Sequence, residues 1–242
     1  MNYAITLPPR NEGRCQNPKI RREEKGKMLR LALTKGRIEK KALEYLAKAG
    51  YDVSELDEDK KGRKLLFKIG DNIEVVLAKA ADVITYVEHG VCDGGIVGED
   101  TIMEAKASIY ELLDLEFGKC RFALAGIKGK NFYDGYGHKI IASKYPSVTK
   151  DYFDGKGVDV EVVKIEGSVE LAPILQLSDA IVDIVETGST LKANGLEVYE
   201  DVAQISARFI ANISSIKMKK AEFDALIGAL GEVVKSERKE NA

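Results

Sequence analysis

From Met28 onward the apolar positions switch repeatedly between the short run of a buried strand and the three-to-four-residue spacing of a helix. Residues 29–33 form an apolar run that predicts a strand. Ile38, Ala42, Leu43, Leu46 and Ala49 then keep one helical face, and Gly50 stands where such a helix ends. Residues 64–69 and 73–77, rich in apolar and β-branched side chains, flank Gly70-Asp71-Asn72 and predict a hairpin. Asp82 is placed to cap a helix ending near Gly90. A buried strand at 94–97, a helix at 100–106 and strands at 110–115, 120–126 and 139–142 follow. Ser147 is placed to cap a helix running to about Phe153. Then come a strand at 160–165, a helix at 169–175 and strands at 180–185 and 207–212. The last segment, 219–235, carries Phe223, Leu226, Ile227 and Leu230 on one face of an amphipathic helix.

Alternation of this kind predicts an α/β fold with mostly parallel sheets and helices on their faces. The chain divides near Gly118-Lys119: residues 28–119 form one lobe and 120–205 another. The late strand at 207–212 comes after the second half is complete, so 206–242 is expected to return to the first lobe. Residues 1–27 fit neither lobe. They hold three prolines and no apolar period, and end in Arg21-Arg22-Glu23-Glu24-Lys25-Gly26-Lys27, every residue of which purine-only codons can encode. A disordered basic arm, or a translated leader with Met28 as the natural start, are the two expectations.

Charge narrows the function classes. The chain carries 37 Lys and Arg against 39 Asp and Glu, and the surplus of base lies in the first 27 residues. The acidic remainder argues against a nucleic-acid partner. No apolar run is long enough to span a bilayer. Three cysteines without CxxC spacing argue against disulfides or structural zinc and favour a reducing cytoplasm. With His89 and His138 the only histidines, chemistry built on a histidine base has little material. His89 is read as a partly buried helix-end residue, Cys92 and Cys120 as small core residues.

The stretch 179–191 (DAIVDIVETGSTL) is the richest in chemistry. An apolar strand delivers Asp183 and Glu186, then breaks into Thr187, Gly188, Ser189 and Thr190 before a helical turn. Small residues let backbone N–H groups converge, and the helix start adds a positive dipole end, which together make an anion cradle for a monophosphate. The two acids just upstream can accept hydrogen bonds from sugar hydroxyls. Thr-Gly-Ser-Thr alone fits an ordinary strand, turn and capped helix equally well; with both carboxylates a sugar-phosphate loop is the better reading.

This stretch resembles the phosphoribosyl-pyrophosphate loop of ATP phosphoribosyltransferases, and the resemblance runs from Met28 to about Asn212. It takes in Leu33-Thr34-Lys35-Gly36-Arg37, Arg63-Lys64-Leu65, residues 82–90 (DVITYVEHG), residues 95–100 (GIVGED), Gly118-Lys119-Cys120-Arg121, Lys144-Tyr145-Pro146 and residues 167–173 (GSVELAP). The chain departs from the family at Gln176, usually glycine, and at Lys79, often arginine, where the charge stays but the planar fork is lost.

The resemblance implies two α/β lobes like the type II periplasmic binding proteins, with the active site in the interlobe cleft. It implies transfer of phosphoribosyl from phosphoribosyl pyrophosphate to N1 of ATP, the first step of histidine biosynthesis, with Mg²⁺ bound mainly through pyrophosphate rather than by a protein metal site. Thr187, Gly188, Ser189 and Thr190 would bind the 5′-phosphate, while Asp183 and Glu170 hold the ribose side. Lys35 with Gly36, Arg37, Arg63, Lys79 and Asp100 would surround the pyrophosphate, its magnesium and ATP. By spacing alone Asp100 also fits a helix cap, and Arg63 is crowded by Lys60, Lys61 and Lys64. A chain ending about one helix past Asn212 implies the short form, a homo-oligomer alone and a hetero-oligomer with a regulatory subunit similar to histidyl-tRNA synthetase. A solute-binding protein and a salvage phosphoribosyltransferase are the competing readings. The missing export signal weighs against the first, the Lys-Gly-Arg and Tyr-Val-Glu-His-Gly motifs against the second.

Overall fold

The computed structural model describes residues 28–135 and 137–240, and the arm or leader expected at 1–27 lies outside the described residues. The first half runs β1 (Leu29–Thr34), α1 (Arg37–Lys48), α2 (Glu58–Lys61), β2 (Leu66–Ile69), β3 (Ile73–Ala78), α3 (Ala80–Glu88), β4 (Gly94–Gly98), α4 (Glu99–Ala105) and β5 (Tyr110–Asp114). The second runs β6 (Cys120–Ile127), β7 (Lys139–Ser143), α5 (Pro146–Lys156), β8 (Val160–Lys164), α6 (Leu171–Ile174), β9 (Ala180–Val185), α7 (Ser189–Ala193) and β10 (Leu196–Ile205). β11 (Ala207–Ala211), α8 (Ile213–Met218) and α9 (Lys220–Glu240) follow.

Two sheets result. One is ordered β2-β3-β1-β4-β11-β5, so the late strand β11 sits between β4 and β5; the other is ordered β10-β6-β9-β7-β8. The expectation of mostly parallel sheets is refined: both are mixed, and four of the nine ladders among the described residues are parallel. The hairpin and the returning strand β11 supply the antiparallel pairs of the first sheet, and β6 and β10 those of the second.

Side-chain alternation along β1 feeds two cores. Leu29, Leu31 and Leu33 pack with Ala42, Tyr45 and Leu46 of α1 and with Phe223, Leu226 and Leu230 of α9. Ala32, on the opposite face, packs with Val83, Ile84 and Val87 of α3 and Ile102 of α4. In the second lobe Phe122 and Leu124 of β6 face Val148 and Phe153 of α5, while Ala123 and Ala125 face Ala172 of α6 and Leu191 of α7.

Four local expectations are corrected. Asp82 lies inside the first turn of α3, where its charge suits the positive end of the helix, and Lys79 is the N-cap. Ser147 lies inside α5, because Pro146 opens that helix and Tyr145 is its N-cap. Near 169–175 only Leu171–Ile174 is helical; the preceding residues close tight turns, with Ala172 N–H donating to the Val169 carbonyl at 3.0 Å. His89 is exposed rather than partly buried, its ring Nδ1 3.0 Å from the Thr85 carbonyl. The ten-residue strand β10 had no sequence signal. Its register shifts between Val198 and Glu200 and again between Asp201 and Ala203, which breaks the two-residue alternation a strand otherwise shows.

Candidate active site

In the first lobe β1, β3 and β4 run parallel, and their C-terminal ends point to one edge. Open α/β sheets hold ligands at such edges. Thr34 and Ala78 are paired in register, so Lys35 and Lys79 leave adjacent strands side by side, tied by a bond from Lys35 N–H to the Ala78 carbonyl at 2.9 Å. Gly36 takes φ +99°, a turn that only glycine enters freely, and so lets α1 begin at Arg37. Beyond β4, the Asp100 carboxylate folds back over Gly98, where a Cβ would lie 2.1 Å from its Oδ1.

In the second lobe β9 ends in Asp183, Ile184 and Val185, and Glu186 follows it. Gly188 has φ +76° and serves as the N-cap of α7, so the backbone reverses before Ser189. Thr187 Oγ1 lies 3.0 Å from Ser189 Oγ, which turns two hydroxyls to one side of the loop. A cavity of about 290 Å³ opens here, lined by Asp183, Glu186, Glu170 and the four residues Thr187 to Thr190. Its floor is Ala123 and Ala125, whose small side chains on one face of β6 leave the space. Asp183 faces Ala123 across the ladder. Burial pushes its carboxyl up to about 6; a bond from the Ile184 N–H and the Lys144 charge oppose that rise, and nearby Glu170 adds to it.

Arg37 is the first-lobe residue that reaches this cavity. Its guanidinium pairs with Glu186 at 2.6 Å across the cleft. The two side chains are 81% and 55% exposed, so the pair is worth about 0–1 kcal/mol and an incoming polyanion can displace it. The site residues named from sequence therefore fall into groups. Arg37, Glu170, Asp183, Glu186, Thr187, Gly188, Ser189 and Thr190 line one cavity. Lys35, Gly36, Lys79 and Asp100 stand outside its lining, at the strand ends of the facing lobe. Arg63 lies farther along, exposed in the turn between α2 and β2.

Two residues with no role assigned from sequence also belong to the surroundings. Lys144 acts on Asp183 through its charge, and the Tyr145 hydroxyl donates to Asp100 Oδ2 at 3.2 Å. Burial, Asp100 and Asp183 drive the Tyr145 phenol far above its ordinary range, so it stays protonated and donates. Lys144-Tyr145 was visible as a motif, but only the fold brings it to β9. Cys92 is fully buried, while Cys120 is half-buried at the start of β6.

A sequence model of the HisG family, ATP phosphoribosyltransferase, matches residues 79–232. The chain belongs to the ATP phosphoribosyltransferase family. An ATP phosphoribosyltransferase of Clostridium kluyveri is 60% identical over 200 residues, covering 82% of this chain and 90% of that protein. One from Clostridium acetobutylicum is 54% identical over 215 residues, covering 88% and 99%. Among solved structures, a chain of the ATP phosphoribosyl transferase (HisG:HisZ) complex from Thermotoga maritima superposes with a TM-score of 0.74 at 36% identity, over 86% of this chain and all of that one. The periplasmic aliphatic sulphonate binding protein SsuA of Escherichia coli superposes at 0.55 with 16% identity, over 88% and 76%, and shares the two-lobed fold alone. The activity of an ATP phosphoribosyltransferase is transfer of phosphoribosyl to ATP, which opens histidine biosynthesis.

Proposed function

We propose that the chain joins ATP to phosphoribosyl pyrophosphate in the cleft between its lobes, with the cavity after β9 as the phosphoribosyl site. The carrying observation is that cavity: a glycine-turned loop of hydroxyls and N–H groups with two carboxylates upstream and an arginine opposite. Thr187, Gly188, Ser189 and Thr190 take the 5′-phosphate. Asp183 and Glu170 accept from the ribose hydroxyls. Arg37, freed from Glu186, turns with Lys35 and Lys79 toward the pyrophosphate, and Arg63 and Asp100 complete the ATP side.

Adenine N1 carries a free lone pair at neutral pH and attacks C1 of the sugar; the C1–O bond breaks, pyrophosphate leaves, and C1 inverts. No general base is required. Positive charge grows on the ribose beside Asp183 and Glu170, and negative charge on the leaving group beside the cationic side chains, so alignment and fixed charge are what the protein supplies. The donor set of carboxylates and hydroxyls fits magnesium, which prefers oxygen and keeps close to phosphates. Bound through the pyrophosphate, magnesium would neutralise its charge.

The likeness to a chain of the Thermotoga maritima complex supports a short-form catalytic subunit that works with a regulatory partner; in this reading the partner is similar to histidyl-tRNA synthetase, and the chain without it is a homo-oligomer. Among the described residues no helix is long and apolar enough to cross a membrane. A biosynthetic role with free Cys92 and Cys120 supports the cytoplasm as its compartment.

The decisive experiment mixes the purified chain with ATP, phosphoribosyl pyrophosphate and Mg²⁺ and follows pyrophosphate release. In parallel, Gly188→Val is titrated calorimetrically with phosphoribosyl pyrophosphate. A valine at φ +76° costs the fold about 1–2 kcal/mol, while its branches enter the phosphate cradle and abolish binding. No release by the native chain, or native affinity in a folded G188V, refutes the assignment.

A further inference from the structure

The lobes meet along α4 and α5, and the contacts there share one pattern. Asp100 and Glu104 stand four residues apart on one side of α4, and both carboxylates reach across to the start of α5. Tyr145 Oη donates to Asp100 Oδ2 at 3.2 Å, while Glu104 Oε2 accepts from the N–H groups of Ser147 at 2.9 Å and Val148 at 3.2 Å. α5 has no side-chain cap of its own. Two of the N–H groups that a helix leaves unpaired in its first turn are thus satisfied by the opposite lobe. Met103, between the two acids, packs on the second lobe's core. Tyr145 is also held from its own side: its N–H donates to Ser143 Oγ at 2.9 Å, and that hydroxyl donates to the carbonyl of Val182, the residue before Asp183, at 2.6 Å.

We infer that Glu104 is a positioning residue for the reaction: its carboxylate caps α5 across the cleft and so holds Tyr145 and Asp100 in register with Asp183. The inference rests on the cleft being the site of phosphoribosyl transfer. A carboxylate on backbone N–H groups at a helix start is a charge-assisted contact. Here it couples the two bodies whose alignment the chemistry needs. The exposed Lys106–Asp151 pair, 2.7 Å apart beside it, adds little.

Glu104→Ala tests this in the full chain. The second lobe still holds the phosphoribosyl half through Asp183 and the loop 187–190, while the first-lobe cations at the pyrophosphate lose alignment, so calorimetric affinity for phosphoribosyl pyrophosphate is expected to fall by less than turnover does. Turnover is expected to fall about tenfold, the equivalent of about 1.4 kcal/mol of lost alignment, with a raised KM for ATP. Glu104→Gln keeps an oxygen that accepts from both N–H groups and is expected to restore most of the turnover. Should the alanine variant not fold, Glu104→Met, which keeps the packed stem but no strong acceptor, takes its place against E104Q. Native kcat and KM in the folded variant, a lowered melting temperature with unchanged kinetics, or an E104Q as impaired as E104A overturns the inference. An inactive native chain, or a G188V that still binds substrate, removes the site reading itself, whatever Glu104 does.

Discussion

At Asp183 a carboxyl group that ionises near pH 6 ties both stability and binding to pH. Its folded value of about 6 lies above the ordinary 3.8 because burial disfavours the charge. Between those values the native state holds more protons than the unfolded chain. Stability from this group is therefore full below about pH 4, falls as pH rises through 6, and is level above. Asp183→Asn removes that slope: its melting temperature is expected to match or exceed the native one at pH 8. Its affinity for phosphoribosyl pyrophosphate is expected to be lower at pH 8 and to vary less between pH 5 and 8, once the ligand's own titration, common to both proteins, is subtracted. Calorimetry at several pH values measures both. Native affinity with lowered stability at pH 8 would make Asp183 a structural group instead.

Among the elements, β4 is the most constrained. It lies between β1 and β11, and its glycines let the neighbouring strands and helices close on it. A Cβ on Gly95 would meet the Ala32 carbonyl at 2.7 Å and Val83 Cγ1 at 3.0 Å. The carbonyl belongs to the backbone of a paired strand and cannot rotate away. Gly95→Ala is expected to destabilise the first lobe by about 1–3 kcal/mol, read as a lower urea midpoint. Because β4 leads into Asp100, KM for ATP should rise more than KM for phosphoribosyl pyrophosphate. Unchanged stability would show that the sheet yields at this point. Its neighbour β11 carries Arg208, which ties Glu99 at 2.7 Å and Asp114 at 2.8 Å and so fixes the start of α4 to the edge of the sheet.

For the whole molecule, the arrangement after β10 bears on regulation. The described residues beyond 205 insert β11 into the first sheet and lay α9 on it, burying Phe223, Leu226, Leu230, Val233 and Val234. Those buried side chains hold the helix to its own lobe. On the short-form reading proposed above, the purified chain is expected to form an oligomer of itself and to keep its activity in histidine. Added regulatory partner should give a larger assembly, higher activity and histidine inhibition. Sedimentation and activity assays at graded histidine, with and without the partner, decide this; strong inhibition of the chain alone would contradict it.

The order of the elements, β10 excepted, and the chemistry at the end of β9 were legible in the residues alone. Apolar runs such as 29–33 and 180–185 and glycines such as Gly50 and Gly188 are local signals, and local sterics and periodicity are what they report. Acids before a small-residue loop were legible for the same reason. What depends on distant partners was not. β10 carries two bulges and takes its place only by pairing with β6. α5 begins where Pro146 allows and is capped by Glu104, a residue 43 positions away. Arg37 and Glu186 meet across 149 positions, and Tyr145 meets Asp100 across 45. The cavity floor depends on Ala123 and Ala125, whose smallness carries meaning only once β6 lies beside β9. Side-chain type and period are properties of a segment, whereas burial, capping from another lobe and the raised ionisation of Asp183 arise only when segments enclose one another.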